Sequence, residues 1–166
     1  MQLEPGPAPV RVRPYREMDV EGVIDLYSLT VRHVNSRDYT PEQIQAWAPT
    51  EMDRDRWRRR LAGLTTLVAE IDGTLAGFAA ADANGYLDFL FTHHNFLRRG
   101  VATALCRRIE ERCRGEGISV VFTNASITAR PFFEKMGFHV VREQTAKIGQ
   151  VTLRNYRMEK QLDTPG

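Results

Sequence analysis

Asp72-Gly73 and Asn84-Gly85 limit the fold of this chain more than any other pairs in it. Each supplies the positive-φ positions of a tight turn, and around them lie short runs rich in β-branched, aromatic and small residues. Thr65 to Ile71, Leu75 to Ala81 and Tyr86 to Phe91 therefore read as successive strands of a sheet. Such a piece has two faces to cover, so helices must come from the flanking sequence.

The flanks carry them. Before the strands, Val10 to Arg13 reads as a short strand closed by Pro14. Met18 to Val34 then places Val20, Val23, Ile24, Tyr27, Val31 and Val34 at helical spacing. Thr40-Pro41-Glu42-Gln43 is a helix start, with Thr40 as N-cap, Pro41 at the first position and Gln43 closing a capping box; that helix runs to Trp47. Asp53 caps a third, arginine-rich helix that ends before Gly63. After the strands, a helix is predicted from Arg99 to Arg114 with Gly115 at its end, then a buried strand from Ile118 to Thr123. A short helix from Thr128 to Met136 stops at Gly137. Phe138 to Thr145 and Val151 to Lys160 close the chain as an antiparallel pair around Ile148-Gly149-Gln150. The order β-α-α-α-β-β-β-α-β-α-β-β describes an α/β (α+β) chain, a mixed sheet flanked by helices.

With 166 residues, 42% of them apolar, the chain supports one domain with a real core, expected from 10 to 162. Gln2 to Pro9, rich in proline, reads as a disordered leader, and 163–166 as a tail. The net charge of +2 gives no strong case for a nucleic-acid partner and argues against reading the arginine-rich helix as a nucleic-acid-binding surface. Cys106 and Cys113 lie about 10 Å apart along one predicted helix, too far for a disulfide, and read as packing residues. No Cys/His spacing suggests a metal, and no apolar run suggests a signal peptide or membrane span. The expected location is the cytoplasm, as a monomer or homodimer.

Asn95-Phe96-Leu97-Arg98-Arg99-Gly100-Val101-Ala102-Thr103-Ala104-Leu105 is a basic, glycine-containing turn that opens into a helix. A helix start leaves its first N–H groups unpaired and carries about half a positive charge. Gly100 and Ala102 let a phosphate approach the backbone, so the turn suits a polyanion.

This turn and the element order resemble the GNAT superfamily of N-acetyltransferases, over residues Val10 to Lys160. That family places Gln or Arg three residues before a Gly, with Gly or Ala two beyond; here Leu97, Gly100 and Ala102 stand there, and Leu97 departs from the pattern. Ala129-Arg130-Pro131-Phe132-Phe133-Glu134-Lys135-Met136-Gly137-Phe138 is similar to the family's second signature, which ends in Gly-Phe. Ser36-Arg37-Asp38-Tyr39, Ser126 to Phe133 and Asn155 to Lys160 resemble a YafP-like bacterial branch.

The resemblance implies a mostly antiparallel seven-stranded sheet whose fourth and fifth strands splay apart, with the pantetheine arm of acetyl-CoA filling the gap. Leu90, Phe91 and Thr92 would then offer backbone groups to that arm. Arg98, Arg99, Gly100, Val101, Ala102 and Thr103 would cradle the pyrophosphate, and Ser126, Phe132 and Phe133 would also meet the cofactor. Many relatives carry a tyrosine general acid where this chain has Phe133, which has no hydroxyl. Another group, water, or departure of an unprotonated thiolate must serve instead. Tyr156 is a candidate acid, with packing as its plainer reading.

Asp88, placed by strand alternation on the side of Tyr86 and Leu90, is a candidate base for the amine proton, or else a carboxylate paired with an arginine. Thr123 and Asn124, at the end of the fifth strand, line the cleft or merely end it. His33, Arg37, Asp38, Tyr39 and Trp47 form a polar-aromatic cluster, of which His33, Tyr39 and Trp47 are candidate substrate contacts. Arg54, Arg56, Arg58, Arg59 and Arg60 read as a solvated face around Trp57 and Leu61. The function implied is acetyl transfer from acetyl-CoA to a small-molecule or peptide amine, directly and in a ternary complex, without a metal. The rival from another class is a non-catalytic acyl-CoA-binding module.

Overall fold

The computed structural model describes residues 6–163 and contains one seven-stranded sheet. Its strands are β1 (Arg11–Pro14), β2 (Thr65–Ile71), β3 (Thr74–Ala81), β4 (Tyr86–Thr92), β5 (Val120–Ser126), β6 (His139–Ile148) and β7 (Val151–Gln161). They lie in the order β1-β2-β3-β4-β5-β7-β6, and every neighbouring pair is antiparallel except β4 and β5. The helices are α1 (Val20–His33), α2 (Pro41–Trp47), α3 (Arg54–Ala62), α4 (Val101–Gly115) and α5 (Arg130–Lys135). Residues 2–5 of the expected leader and 164–166 of the tail lie outside the described residues. Gly6 to Pro9 have no regular structure, yet Ala8 packs against the core.

Each face of the sheet has its own core, as a sheet with two apolar faces requires. On one face Val23, Ile24, Tyr27 and Val31 of α1 meet Phe78, Phe89 and Leu61. On the other, Leu105, Ile109 and Cys113 of α4 meet Val121, Phe133 and Met158. Gly77 lets α4 settle on that second face: a Cβ there would lie 2.6 Å from Val101 Cγ1 and 2.8 Å from the Phe91 carbonyl. Cys106 and Cys113 are both buried and free, and burial pushes the Cys106 thiol up to about 12.

The caps form where the sequence places them. Thr40 Oγ1 accepts from the Gln43 amide, Gln43 reaches back to Thr40, and Asp53 accepts from the Arg56 amide.

Besides shifts at other element ends, such as β6 running on to Ile148, three expectations that bear on the site need correction. The strand expected over Ile118 to Thr123 is β5, which starts two residues later and runs to Ser126. The Ile118 amide instead donates to the Cys113 carbonyl, closing the end of α4. The helix expected from Arg99 starts at Val101, because Arg98 (φ 61°) and Gly100 (φ 80°) are left-handed and cannot belong to it.

The third concerns the face of β4. A bulge lies where Ala80 and Ala81 of β3 oppose Phe89 and Leu87, leaving Asp88 as the extra residue. Side-chain alternation slips there. Leu87 and Leu90 pack with the α4 core, whereas Phe89 and Phe91 pack with the α1 core. Asp88 is held by Arg60 of α3, on the α1 side, so it does not share the face of Leu90.

Candidate functional site

β4 and β5 pair only through Tyr86 with Phe122 and Leu87 with Thr123, and then part. The buried Thr123 hydroxyl donates to the Leu87 carbonyl at 2.9 Å and closes the apex of the gap. Beyond the apex the outer edge of β4 is unpaired. The His93 amide donates to the Ala76 carbonyl at 2.8 Å, so alternation turns the backbone groups of Leu90 and Thr92 toward the gap and those of Phe91 toward β3. The Thr92 carbonyl is already taken by the Thr30 hydroxyl at 2.8 Å.

The gap leads to the start of α4. A 3₁₀ turn over His94–Phe96 and the two left-handed residues Arg98 and Gly100 bring the chain sharply into the helix. No side chain caps α4, and its first turn holds no acidic residue. The Ala104 amide is the first to find an intrahelical acceptor, the Gly100 carbonyl at 3.0 Å, which leaves the amides of Val101, Ala102 and Thr103 to whatever binds there. Nothing lies within 4 Å of the position a Gly100 Cβ would take, so the space over this backbone is open. Such a helix start attracts an anion. The exposed Arg98 and Arg99 add charge, with Arg99 lying 5.6 Å from the Phe96 ring.

One cleft of about 1040 Å³ joins this turn to the far end of the gap. Leu90, Phe91, Thr92, Gly100 and Ala102 line it, as do Ser126, Phe132 and Phe133 on the opposite wall. Ser126 Oγ accepts from the Ala129 amide at 3.0 Å and stands 3.4 Å from the Asn35 amide nitrogen.

The far end is built differently. Arg60 Nη2 donates to both oxygens of Asp88, at 2.8 and 3.0 Å, and its Nε to Oδ2 at 3.2 Å. The guanidinium also lies 4.7 Å from the Phe89 ring. Trp47, Trp57 and Tyr86 line the same cleft. Burial pushes the Tyr86 hydroxyl up, reinforced by the nearby Asp88 charge, and the Asn124 amide donates to it at 3.2 Å. Tyr39 is buried against Trp47; its hydroxyl donates to the Arg154 carbonyl at 2.6 Å and accepts from the Ile127 amide at 2.9 Å. Burial raises it as well.

Three candidates do not line this cleft: Arg99, which lies over the Phe96 ring instead, His33 and Tyr156. His33 is exposed at the end of α1 and stacks on His94, ring centroids 4.4 Å apart, while His94 stacks on His93 at 4.5 Å. Tyr156 is buried in the α4 core beneath the Arg130 guanidinium, 4.5 Å from its ring. Sequence reasoning also missed Arg56 and Arg60, read as part of a solvated face. Asp53, Arg56, Trp57 and Arg60 all line the cleft, and their 3-4-7 spacing marks one face of α3. That signal was present in the sequence, without anything to say where the face points.

No three His, Cys, Asp or Glu side chains among the described residues are grouped to hold a metal ion. No helix among them is long and apolar enough to cross a membrane.

Comparison with known proteins agrees with this architecture. Residues 35–162 match the family model of the acetyltransferase (GNAT) domain. The chain is 34% identical over 149 residues to YafP, an uncharacterized N-acetyltransferase of Escherichia coli strain K12, covering 90% of this chain and 94% of that protein. A crystal structure of a GCN5-related N-acetyltransferase from Rhodopseudomonas palustris superimposes with a TM-score of 0.89 at 29% identity, over 98% of this chain and 99% of that one. PaiA N-acetyltransferase from Thermoplasma acidophilum, solved in complex with coenzyme A, shares the fold with a TM-score of 0.74 at 19% identity, over 92% and 99% of the two chains. The splayed β4–β5 pair and the uncapped α4 thus sit in a chain that belongs to the GNAT family of N-acetyltransferases and resembles its YafP branch.

Proposed function

We propose that this protein transfers the acetyl group of acetyl-CoA directly to an amine, with both substrates bound together. The observation that carries this reading is the single cleft that joins an unpaired strand edge to an uncapped helix start. The backbone of Leu90 and the amide of Thr92 offer the pantetheine arm a strand-like partner. The amides of Val101, Ala102 and Thr103, with Arg98 and Arg99 beside them, take the pyrophosphate. Phe132, Phe133 and Ser126 form the second wall.

At the other end Asp88, held by Arg60, accepts the amine proton directly or through water. The amine nitrogen attacks the thioester carbonyl, the C–N bond forms, the C–S bond breaks, and coenzyme A leaves as a thiolate. Phe133 has no proton to give, and Tyr156 does not line the cleft. With neither as the acid, this reading has the thiolate leave unprotonated and take its proton from water, which a thiol with a pKa of about 8.5 tolerates. No side chain in the cleft has the setting of an activated nucleophile, which disfavours a covalent acetyl-enzyme.

Acetyl-CoA is expected to raise the melting temperature, and a panel of amines to release free coenzyme A above the blank rate. Asp88→Asn is expected to lower kcat about 100-fold while acetyl-CoA binding stays within about twofold, in the range of a lost general base. Cofactor binding without release of coenzyme A across the panel would point to a non-catalytic acyl-CoA-binding module instead.

A further inference from the structure

Of the five arginines of α3, Arg54, Arg58 and Arg59 do not line the cleft and Arg56 and Arg60 do. Arg54 pairs with Glu21 at 2.7 Å, and Arg58 with Asp55 at 3.3 Å, away from the cleft. Arg56 and Arg60, one turn apart, line it. Arg60 holds Asp88, while Arg56 makes no ion pair among the described residues. The other cleft arginines near this end are matched: Arg37 lies 3.6 Å from Asp38, and Arg154 lies 3.4 Å from Glu143. Of the acidic lining residues, Asp53 is turned to the Arg56 amide as helix cap and Glu51 is solvent-exposed. Asp88 alone is shielded, its side chain 14% exposed with both oxygens on Arg60.

This arrangement sets a condition on the acceptor. An amine approaching Asp88 competes with Arg60 for the same carboxylate. A simple amine would take Asp88 and leave Arg60 without its anion. An amine with its own carboxylate nearby exchanges partners instead: its ammonium goes to Asp88, and its carboxylate goes to Arg60 and the unpaired Arg56. Every charge then keeps an opposite partner as water leaves the cleft, which avoids the cost of an uncompensated charge. A guanidinium fork also suits a carboxylate geometrically.

Resting on the transfer reading above, we propose that the acceptor is an amino carboxylate, a free amino acid in chemical class, recognised through Arg56 and Arg60. A peptide N-terminus lacks a carboxylate beside its amine, and a polyamine lacks one altogether.

The test measures kcat/KM for a set of L-amino acids, each against its carboxamide and its decarboxylated amine. For the side chains that are turned over, the free acid is expected to be favoured at least about tenfold over both analogues, a discrimination of the size expected when a charged hydrogen-bonding partner is removed. Arg56→Gln, an exposed change that leaves the core untouched, is expected to cut that ratio about tenfold. Equal or better use of the carboxamides or simple amines would overturn the proposal, as would a ratio unmoved by Arg56→Gln. Turnover confined to peptides or polyamines, or acetyl-CoA binding with no amino acid acetylated, also counts against it. Failure of acetyl-CoA to raise the melting temperature would strike the transfer reading itself, so the two failures are distinguishable.

Discussion

The two ends of the cleft are made of different material. The end at α4 is almost wholly backbone: a strand edge left unpaired by β5 at Leu90 and the Thr92 amide, the left-handed Gly100, and three free amides at the helix start. The end at Asp88 is almost wholly side chain, assembled from α2, α3 and β4 around the Arg60–Asp88 pair. A backbone site depends on local conformation and tolerates change in side chains that do not set it. A side-chain site depends on residues far apart in the chain, and each of them is specific to its ligand.

This contrast breaks most readily at Gly100. Gly100→Glu places bulk and negative charge in open space above the free amides, and Gly100→Ala, which carries the same left-handed backbone strain (φ 80°) without the charge, is its control. Acetyl-CoA affinity of Gly100→Glu is expected to fall more than about 100-fold by calorimetry, far more than from loss of one charged hydrogen bond. Affinity retained in Gly100→Glu would mean that the turn is not the anion site.

Gly77→Val tests how the backbone end is supported. Its Cβ would meet Val101 and the Phe91 carbonyl, so overpacking is expected to cost about 1–3 kcal/mol. That corresponds to a melting temperature lower by roughly 3–10 °C in a chain of this size. An unchanged melting temperature would show that α4 is not seated by Gly77.

Leu97→Gln sharpens the comparison from the other direction. Leu97 is 42% exposed, and the change restores the polar residue usual at that position of the turn. If the site is backbone, acetyl-CoA affinity is expected to shift less than about threefold, well under the cost of a lost charged contact. A tenfold gain would assign the side chain a direct part.

The smallest effect belongs to the histidine stack beside the turn. Burial holds His93 below its ordinary value of 6.5, and the neighbouring His94 and His33 lower it further. The folded protein then binds this proton less readily than the unfolded chain. Stability from the neutral imidazole is complete above pH 6.5 and is lost as pH falls through the lower folded value. His93→Gln is expected to flatten the melting-temperature profile slightly below that pH. An unaltered slope would show that the stack contributes nothing to it.

How much of this was legible follows from the same contrast. Turn residues, caps and helical spacing are local, so the meander, the Thr40–Gln43 capping box and the Gly100 turn could be read directly. The start of α4 was placed two residues early because nothing in the letters reveals the left-handed Arg98. The side of Asp88 was misread because alternation assumes an unbroken ladder, and the bulge opposite Ala80 and Ala81 breaks it. His33 and Tyr156 were sensible choices by residue type, but the fold turns one outward and buries the other.

By itself, the sequence determined the elements, their order and the small-residue turn that leaves helix amides free, because these depend on residues within a few positions of one another. Only the tertiary structure decided where β4 and β5 part, that Asp88 faces Arg60, and that one face of the arginine-rich helix borders the cleft. Those outcomes depend on packing between residues separated by tens of positions, where a one-residue slip in a strand exchanges the two faces of the sheet.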